Sequence, residues 1–394
     1  MMNKNIVLGI SGGIAAYKMV EVASRLVKLG ANVDVIMTES ATEFVQPLTF
    51  RSITHRPVES SLFTPPEHFE VKHISLAKKA DLFMIAPATA NIIGKIANGI
   101  ADDLLSTIIM ATNAPVLISP AMNVNMYNNT IVQDNIDYLK EKGYDIITPG
   151  SGYLACGDEG AGRLPEPVNL VENIKKTLSK KDFKGKKVLV TAGPTREPID
   201  PVRFLSNYSS GKMGYELARE ASYRGAEVTL ISGPTELEDP LGVDVIKINT
   251  ALEMKEKMDK LSAEQDIILK AAAVADLRPK NYSNKKMKKR ESKIESIEVQ
   301  SNPDILAGLA EKKCAGQKLI GFAAESEELI ENAELKMKEK NLDMIIANNI
   351  SKVNTGFQSD ENEVHILTEE YKEKLPIMKK AKIAKHIFDK IKEI

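Results

Sequence analysis

The sequence predicts an α/β protein built as two doubly wound units, each with a parallel sheet. Three observations lead there. Short apolar runs of strand length alternate with amphipathic helical stretches. A strand, glycine turn, helix, strand pattern opens the chain and starts again at residue 186. The chain has 394 residues, and at ~100–200 residues per domain two units are the natural expectation.

The elements follow in order. Residues 6–10 form an apolar strand, and Ser11-Gly12-Gly13 is a turn into a helix. Residues 15–29 carry apolar side chains at helical spacing, and Gly30 stops them as a C-terminal cap. Residues 33–37 are the next strand. Residues 81–85 and 115–119 are further apolar strands. In the second half, residues 187–192 form a strand followed by a Gly, Pro and Ser-rich loop. Residues 211–224 form a helix capped by Gly225, and residues 227–231 the next strand. Near-continuous apolar strands separated by helices imply parallel sheets covered on both faces. Residues 178–186, short and lysine-rich, read as a linker. Two Rossmann-like domains result, at residues 1–183 and 184–394; they share a fold logic but no aligned motif.

Composition narrows the class. The chain is 43% hydrophobic and 27% charged with net charge −1, ordinary for globular domains that each bury a core. Nothing points to a nucleic-acid or membrane partner. No segment approaches the ~20 apolar residues of a membrane span, and the first ten residues are too short an apolar run for a signal peptide. The two cysteines, Cys156 and Cys314, sit in dissimilar contexts, so no disulfide framework or zinc pattern is expected. A cytoplasmic location fits.

The first glycine turn is an anion site, because amides at a helix start face outward and the helix dipole favours a phosphate. It lacks the G-x-G-x-x-G spacing, and the second strand ends at Met37-Thr38 without an acid for an adenosine ribose. A mononucleotide fits better than a dinucleotide. Ala86-Pro87-Ala88-Thr89-Ala90-Asn91 and Pro120-Ala121-Met122-Asn123 follow apolar strands, at the edge where open α/β sheets bind ligands. Residues 149–167 contain five glycines and Cys156 without a hydrophobic period, and read as a mobile flap. His73 lies at a helix start. A lone histidine is more often structural than catalytic, but a cysteine amid polar, glycine-rich chain is unlike an ordinary buried one.

These motifs, with Lys72-His73-Ile74-Ser75 and Ala155-Cys156-Gly157 before Gly160-x-Gly162-Arg163, resemble the FMN-containing cysteine decarboxylases over roughly residues 5–170. The resemblance implies a phosphopantothenoylcysteine decarboxylase. It implies FMN at Ser11, Gly12, Gly13, Thr38, Ala88, Thr89, Asn91 and Met122, where it takes a hydride from the carbon bearing the substrate thiol so that CO2 can leave. His73 then orients substrate or acts as base, Asn123 holds the substrate carboxylate, and Cys156 donates the proton of the closing reduction.

In the second half, Asn207-Tyr208-Ser209-Ser210-Gly211-Lys212-Met213-Gly214 opens a helix without Walker A spacing. Ala271-Ala272-Ala273-Val274-Ala275-Asp276 reads as a buried strand ending in an acid, which needs a polar partner. A basic run spans residues 285–290. Asn302-Pro303-Asp304-Ile305 reads as a turn before a helix, and residues 321–325 end a strand. Lys336 and Lys340 share a helix face at i,i+4; either alone could simply pair with a glutamate such as Glu331, Glu334 or Glu339.

Together these residues resemble phosphopantothenate–cysteine ligases over roughly residues 186–360, and the whole chain resembles the bifunctional coenzyme A biosynthesis family. Leu277 departs from the aromatic the family commonly places there. The resemblance implies an N-terminal flavoprotein domain and a C-terminal nucleotide-binding ligase domain. It implies small-molecule substrates: 4'-phosphopantothenate, L-cysteine and CTP, with carboxylate activation as an acyl-cytidylate. Asn207 stabilises that intermediate or its oxyanion, and Lys286 reaches the triphosphate. Lys336 and Lys340 hold phosphate. Asn302, Pro303, Asp304, Ile305 and Phe322 line the nucleotide pocket. Asp276 binds ribose or Mg2+. Trimeric decarboxylase halves and dimeric ligase halves imply a homo-oligomer, a dodecamer. The rival readings are a plain nicotinamide-linked flavoprotein, a non-enzymatic regulator on the same scaffold, and a chain with one active half.

Overall fold

The computed structural model describes residues 1–62, 72–153, 157, 159–286, 296–325, 328–349 and 358–394. The chain divides into two compact units, Met1–Ser179 and Lys180–Ile394.

The first unit runs β1 (Asn5–Ile10), α1 (Ala16–Lys28), β2 (Asn32–Met37), α2 (Glu39–Thr42), α3 (Pro47–Thr54), β3 (Val58–Glu59), α4 (Lys72–Lys79), β4 (Leu82–Ala88), α5 (Ala90–Ala97), α6 (Leu104–Ala111), β5 (Val116–Pro120), α7 (Val124–Tyr127), α8 (Thr130–Glu141), β6 (Asp145–Ile146), β7 (Gly150–Tyr153), β8 (Glu159–Arg163) and α9 (Pro167–Leu178). Among the described residues, its main sheet has the order β3-β2-β1-β4-β5-β6, every pair parallel. The order reverses between β1 and β4, the switch point where such sheets take ligands.

Burial explains the strand composition. Ile6, Leu8 and Ile10 face one apolar layer with Met19, Val22 and Leu26 of α1. Val7 faces the other, with α5, α6 and α8. Gly9 leaves room for Leu105, whose Cδ1 would lie 2.5 Å from an added Cβ. Helix α1 ends at Gly30, whose φ of +80° suits glycine. Strand β4 continues through Pro87 and Ala88, past the expected end at residue 85. The glycine-rich stretch expected as a flap is instead an antiparallel β7–β8 ladder on its described residues.

The second unit runs β9 (Lys187–Ala192), β10 (Arg196–Pro198), β11 (Phe204–Ser206), α10 (Lys212–Tyr223), β12 (Glu227–Ser232), β13 (Asp244–Lys247), α11 (Ala251–Leu261), β14 (Ile267–Lys270), β15 (Leu277–Pro279), β16 (Val299–Ser301), α12 (Ile305–Glu311), β17 (Lys318–Glu325), α13 (Leu329–Glu339), β18 (Met344–Asn349), β19 (Glu361–Leu367), β20 (Lys372–Lys379) and α14 (Lys380–Ile391). Its main sheet reads β13-β12-β9-β14-β17-β18-β19-β20. It is parallel as far as β18 and antiparallel beyond. One face carries α10 and α14, the other α11, α12 and α13.

The lysine-rich segment expected as a linker is built into this second unit. Phe183 is buried and meets Phe388 edge-on at 5.3 Å. Asp182 receives a two-pronged hydrogen bond from Arg224, at 2.8 and 2.6 Å. Arg224 holds the Asp182 carboxyl at about 2, below its ordinary 3.8. The aromatic and the acid inside the lysine run make the segment structural.

Candidate active sites

In the first unit the carboxyl ends of β1, β2 and β4 converge on one small region. Ser11 Oγ donates to the Pro87 carbonyl at 2.7 Å and accepts from the Thr89 amide at 3.1 Å. One buried serine thus clamps the β1 turn to the end of β4. The Thr38 amide donates to the Ile10 carbonyl, and its hydroxyl accepts from the Ala41 amide, so Thr38 fixes the β2 turn beside β1. Gly12 lies where that turn crosses: an added Cβ would sit 2.4 Å from Ser40 Cβ. Helix α1 has no side-chain cap at its start; the Ala16 and Lys18 amides donate to the Gly13 and Ala15 carbonyls, and no side chain competes with an anion for the positive end of the helix. Gly13 completes that turn. Thr89 caps α5, and Asn91 is exposed in the first turn of that helix. The expected flavin residues are therefore brought together, with one correction. The Ala88 side chain is fully buried, since it ends an interior strand, and only its backbone can face a ligand.

The same edge carries the segment after β5. The Met122 amide donates to the Gly162 carbonyl at 3.0 Å. Gly162 has φ +131°, and an added Cβ would meet the Met122 carbonyl oxygen at 2.3 Å. Gly160 packs as tightly on Val124. The glycines of the β7–β8 hairpin thus allow backbone contact with Met122 and Asn123. Asn123 Oδ1 accepts from the Asn125 amide at 2.8 Å, capping α7. Lys18, buried on α1, reaches Glu166 at 2.9 Å and the Leu164 carbonyl at 3.3 Å. It ties the base of the hairpin to the helix whose start forms the anion site, and it holds the Glu166 carboxyl below its ordinary range. His73 is the second residue of α4, a helix anchored by Lys79 to Asp34. The His73 side chain and Cys156 lie outside the described residues.

In the second unit, glycines shape the corresponding edge at the switch between β9 and β14. Gly193 and Gly211 both have positive φ and crowd Thr235 and one another. Gly214 brings α10 against β9, with an added Cβ 2.5 Å from that of Ala192. Helix α10 starts at Gly211 without a side-chain cap and without an acid in its first turn, which leaves its amides for phosphate. Behind the cradle, Thr235 Oγ1 and Lys247 Nζ both donate to the buried Tyr215 hydroxyl, at 3.1 and 3.0 Å.

Beyond β14 the chain departs from expectation. The strand ends at Lys270 rather than Asp276. The next amides bond sideways: Ala272 to Thr191 Oγ1, Ala273 to the Gly193 carbonyl and Ala275 to Thr195 Oγ1. These bonds take residues 271–275 out of the sheet and along the β9 loop. Asp276 is consequently exposed, and its carboxylate takes no hydrogen bond from another described residue. The Asn207 amide nitrogen is shared between the Ala273 and Val274 carbonyls, at 3.1 and 3.2 Å. Asn302 donates to the Ala275 carbonyl at 2.8 Å and leads through Pro303 to Asp304, which caps α12.

Asp304 pairs with Lys340, and Lys336 donates to the Phe322 carbonyl at 3.4 Å. Both lysines thus point toward β17 and the start of α12 instead of helix glutamates. The Ile305 side chain is buried in the core because it begins the inward face of α12, so only its backbone, at the start of that helix, can border a pocket. Lys286 is exposed; residues 287–290 of its basic run lie outside the described residues. Sequence reasoning missed Lys270 and Thr191. The signal for Lys270 was a single cation ending the apolar run 267–269. Among the described residues, no group of three or more His, Cys, Asp or Glu could hold a metal ion.

Residues 1–179 match the flavoprotein family model, and residues 183–394 match the DNA/pantothenate metabolism flavoprotein C-terminal domain. The coenzyme A biosynthesis bifunctional protein of Vibrio cholerae is 45% identical over 394 residues, covering 100% of this chain and 99% of that one. The chain belongs to the bifunctional coenzyme A biosynthesis family. The family's Bacillus subtilis protein is 47% identical, covering 99% of this chain and 97% of its own. A solved C-terminal domain of a coenzyme A biosynthesis bifunctional protein is 40% identical and covers 54% of this chain and 96% of that chain, with a TM-score of 0.47. Membership makes the protein a bifunctional enzyme with a flavoprotein half and a ligase half, and the reading of a non-enzymatic regulator finds no support. Among the described residues no helix is long and apolar enough to cross a membrane.

Proposed function

We propose that the chain makes 4'-phosphopantetheine in two steps, ligating cysteine to 4'-phosphopantothenate and then decarboxylating the product. The observation that carries this reading is the pairing, in one chain, of two switch-point sites that each face an uncapped helix start.

In the ligase half, a carboxylate must be activated before an amine can displace its oxygen. CTP supplies that activation, giving an acyl-cytidylate and pyrophosphate, and the cysteine amine then displaces CMP. The amides of α10 and the lysines Lys286, Lys336 and Lys340 neutralise phosphate charge. Asn207 turns one amide hydrogen from a backbone carbonyl to the developing oxyanion. Asn302, Pro303, Asp304 and Phe322 border the nucleotide. The exposed Asp276 carboxylate suits Mg2+ shared with nucleotide phosphates, since Mg2+ commonly takes only one or two protein carboxylates there.

In the decarboxylase half, the Ser11–Gly13 turn and the start of α1 hold the phosphate of FMN, while Thr38, Thr89, Asn91 and Met122 border it. FMN, when bound, supplies a hydride acceptor and returns the hydride at the end. Asn123 holds the substrate carboxylate until it leaves as CO2. His73 orients the substrate thiol or takes its proton, and Cys156 protonates the enethiol product as it is reduced.

The protein acts as a cytoplasmic homo-oligomer, a dodecamer formed by combining trimeric and dimeric halves. Two measurements test the reading separately. Reconstitution with FMN gives flavin absorption bands, and phosphopantothenate triggers pyrophosphate release from CTP. A protein that takes up no flavin loses the first half of the proposal, and one that never cleaves CTP loses the second.

A further inference from the structure

Lys270 ends β14, with Ile267, Ile268 and Leu269 before it buried. Ile268 faces the layer that includes α12 and α13, and strand alternation puts the Lys270 side chain on that same face. Its backbone pairs with Thr191 of β9 and Gly321 of β17, at the carboxyl edge of the sheet. Among the described residues, Lys270 Nζ donates to the Ala272 carbonyl at 3.3 Å. Its charged neighbours are Lys336, Asp304 and Asp276. Asp304 is already engaged by Lys340 and by the Ala307 amide. Burial pushes the Lys270 ammonium down to about 8; Lys336 adds to that push, while Asp304 and Asp276 oppose it.

A half-buried cation in this position has given up part of its water without gaining a dedicated counter-ion among the described residues, an unfavourable state unless something else completes its surroundings. Lys270 has Lys336, Asp304 and Asp276 as charged neighbours, Lys336 donates to the Phe322 carbonyl and Lys340 pairs with Asp304, so three lysines gather with two aspartates in this region. Their positive excess suits a polyanion. We infer that Lys270 is a further nucleotide-binding residue of the ligase half, its ammonium contacting bound CTP alongside Lys336. This rests on the ligase reading above. The role is binding: Lys270 lowers the free energy of the nucleotide complex and takes no proton in the reaction.

The test uses the full-length protein with CTP, phosphopantothenate, cysteine and Mg2+, comparing wild type with Lys270→Met and Lys270→Arg. Methionine keeps the apolar stem and removes the charge; arginine keeps the charge. The expected result is a rise of about ten- to hundred-fold in KM for CTP in Lys270→Met, the factor for one charge-assisted hydrogen bond. In that variant kcat is little changed, thermal stability is undiminished and KM for phosphopantothenate is unaltered. Lys270→Arg recovers most of the CTP affinity. Wild-type KM for CTP in Lys270→Met overturns the inference, as does equal loss for both substrates or failure of arginine to rescue. If wild type itself does not cleave CTP, the ligase reading fails first, so the two failures are distinguishable.

Discussion

Replacing Gly214 by alanine sets two effects of opposite sign against each other. Gly214 lies in the first turn of α10, where alanine would favour the helix by about 0.5–1 kcal/mol. The new Cβ, however, would lie 2.5 Å from Ala192 Cβ, 2.8 Å from the Thr191 carbonyl oxygen and 3.0 Å from Ala192 Cα. Ordinary contact needs roughly 3.5–4.0 Å, so the helix must back away from β9 by about 1 Å. Two of the three obstacles are backbone atoms of a central strand, so β9 cannot yield in its place. Overpacking of this kind costs about 1–3 kcal/mol, which outweighs the propensity gain and leaves a net loss of about 1–2 kcal/mol. For a unit of this size that lowers Tm by roughly 2–8 °C. The retreat also displaces the α10 amides from the phosphate site, and a misplacement of about 1 Å can cost on the order of a hundredfold in rate. Differential scanning calorimetry and CTP-dependent pyrophosphate release check both. Decarboxylation of supplied phosphopantothenoylcysteine should be unchanged. A Gly214→Ala protein more stable than wild type, with full ligase activity, would refute the close-approach argument.

Three further outcomes are expected. Cys156→Ser should still oxidise and decarboxylate phosphopantothenoylcysteine but accumulate the unreduced enethiol product, detected by mass; full turnover to phosphopantetheine would remove Cys156 from the mechanism. Lys286→Gln should cut acyl-cytidylate formation by about tenfold or more, whereas Lys289→Gln, which the family resemblance does not single out, should have a mild effect, since a cation that only adds to the general field is screened by salt; equal effects would reduce the basic run to a general electrostatic patch. The Asp182 carboxyl, held by Arg224 at about 2 against an ordinary 3.8, stabilises the second unit fully above about pH 4. That contribution fades as pH falls from 4 through 2. The stability advantage of wild type over Asp182→Asn, measured by far-UV circular dichroism in denaturant, should therefore shrink across that window; an advantage independent of pH would contradict the ion pair.

Much of the frame was legible because the physics was local. The strand at residues 187–192 matches β9 in its observed bounds, and Gly30 and Gly225 end helices at positive φ, where glycine alone is at ease. Long-range pairing hid the rest. Gly152, Gly160 and Gly162 look like flap residues in sequence, yet their φ values of +142°, +158° and +131° serve a ladder that lies against Met122 and Val124. Residues 271–275 have the composition of a strand, but hydroxyls of Thr191 and Thr195, some eighty positions earlier, draw their amides away. Ile305 and Ala88 fall within motifs that the sequence reads as lining a site, and only the core shows that their side chains are buried. Phe183 sits in a run of lysines, and its partner Phe388 lies at the far end of the chain.

The most direct test of the central claim is mass analysis of one mixture: full-length protein reconstituted with FMN, 4'-phosphopantothenate, L-cysteine, CTP and Mg2+. The account predicts 4'-phosphopantetheine, CMP, pyrophosphate and CO2, with phosphopantothenoylcysteine appearing first and accumulating when flavin is withheld. Unchanged phosphopantothenate in the complete mixture, or product formed without any CTP, would contradict it.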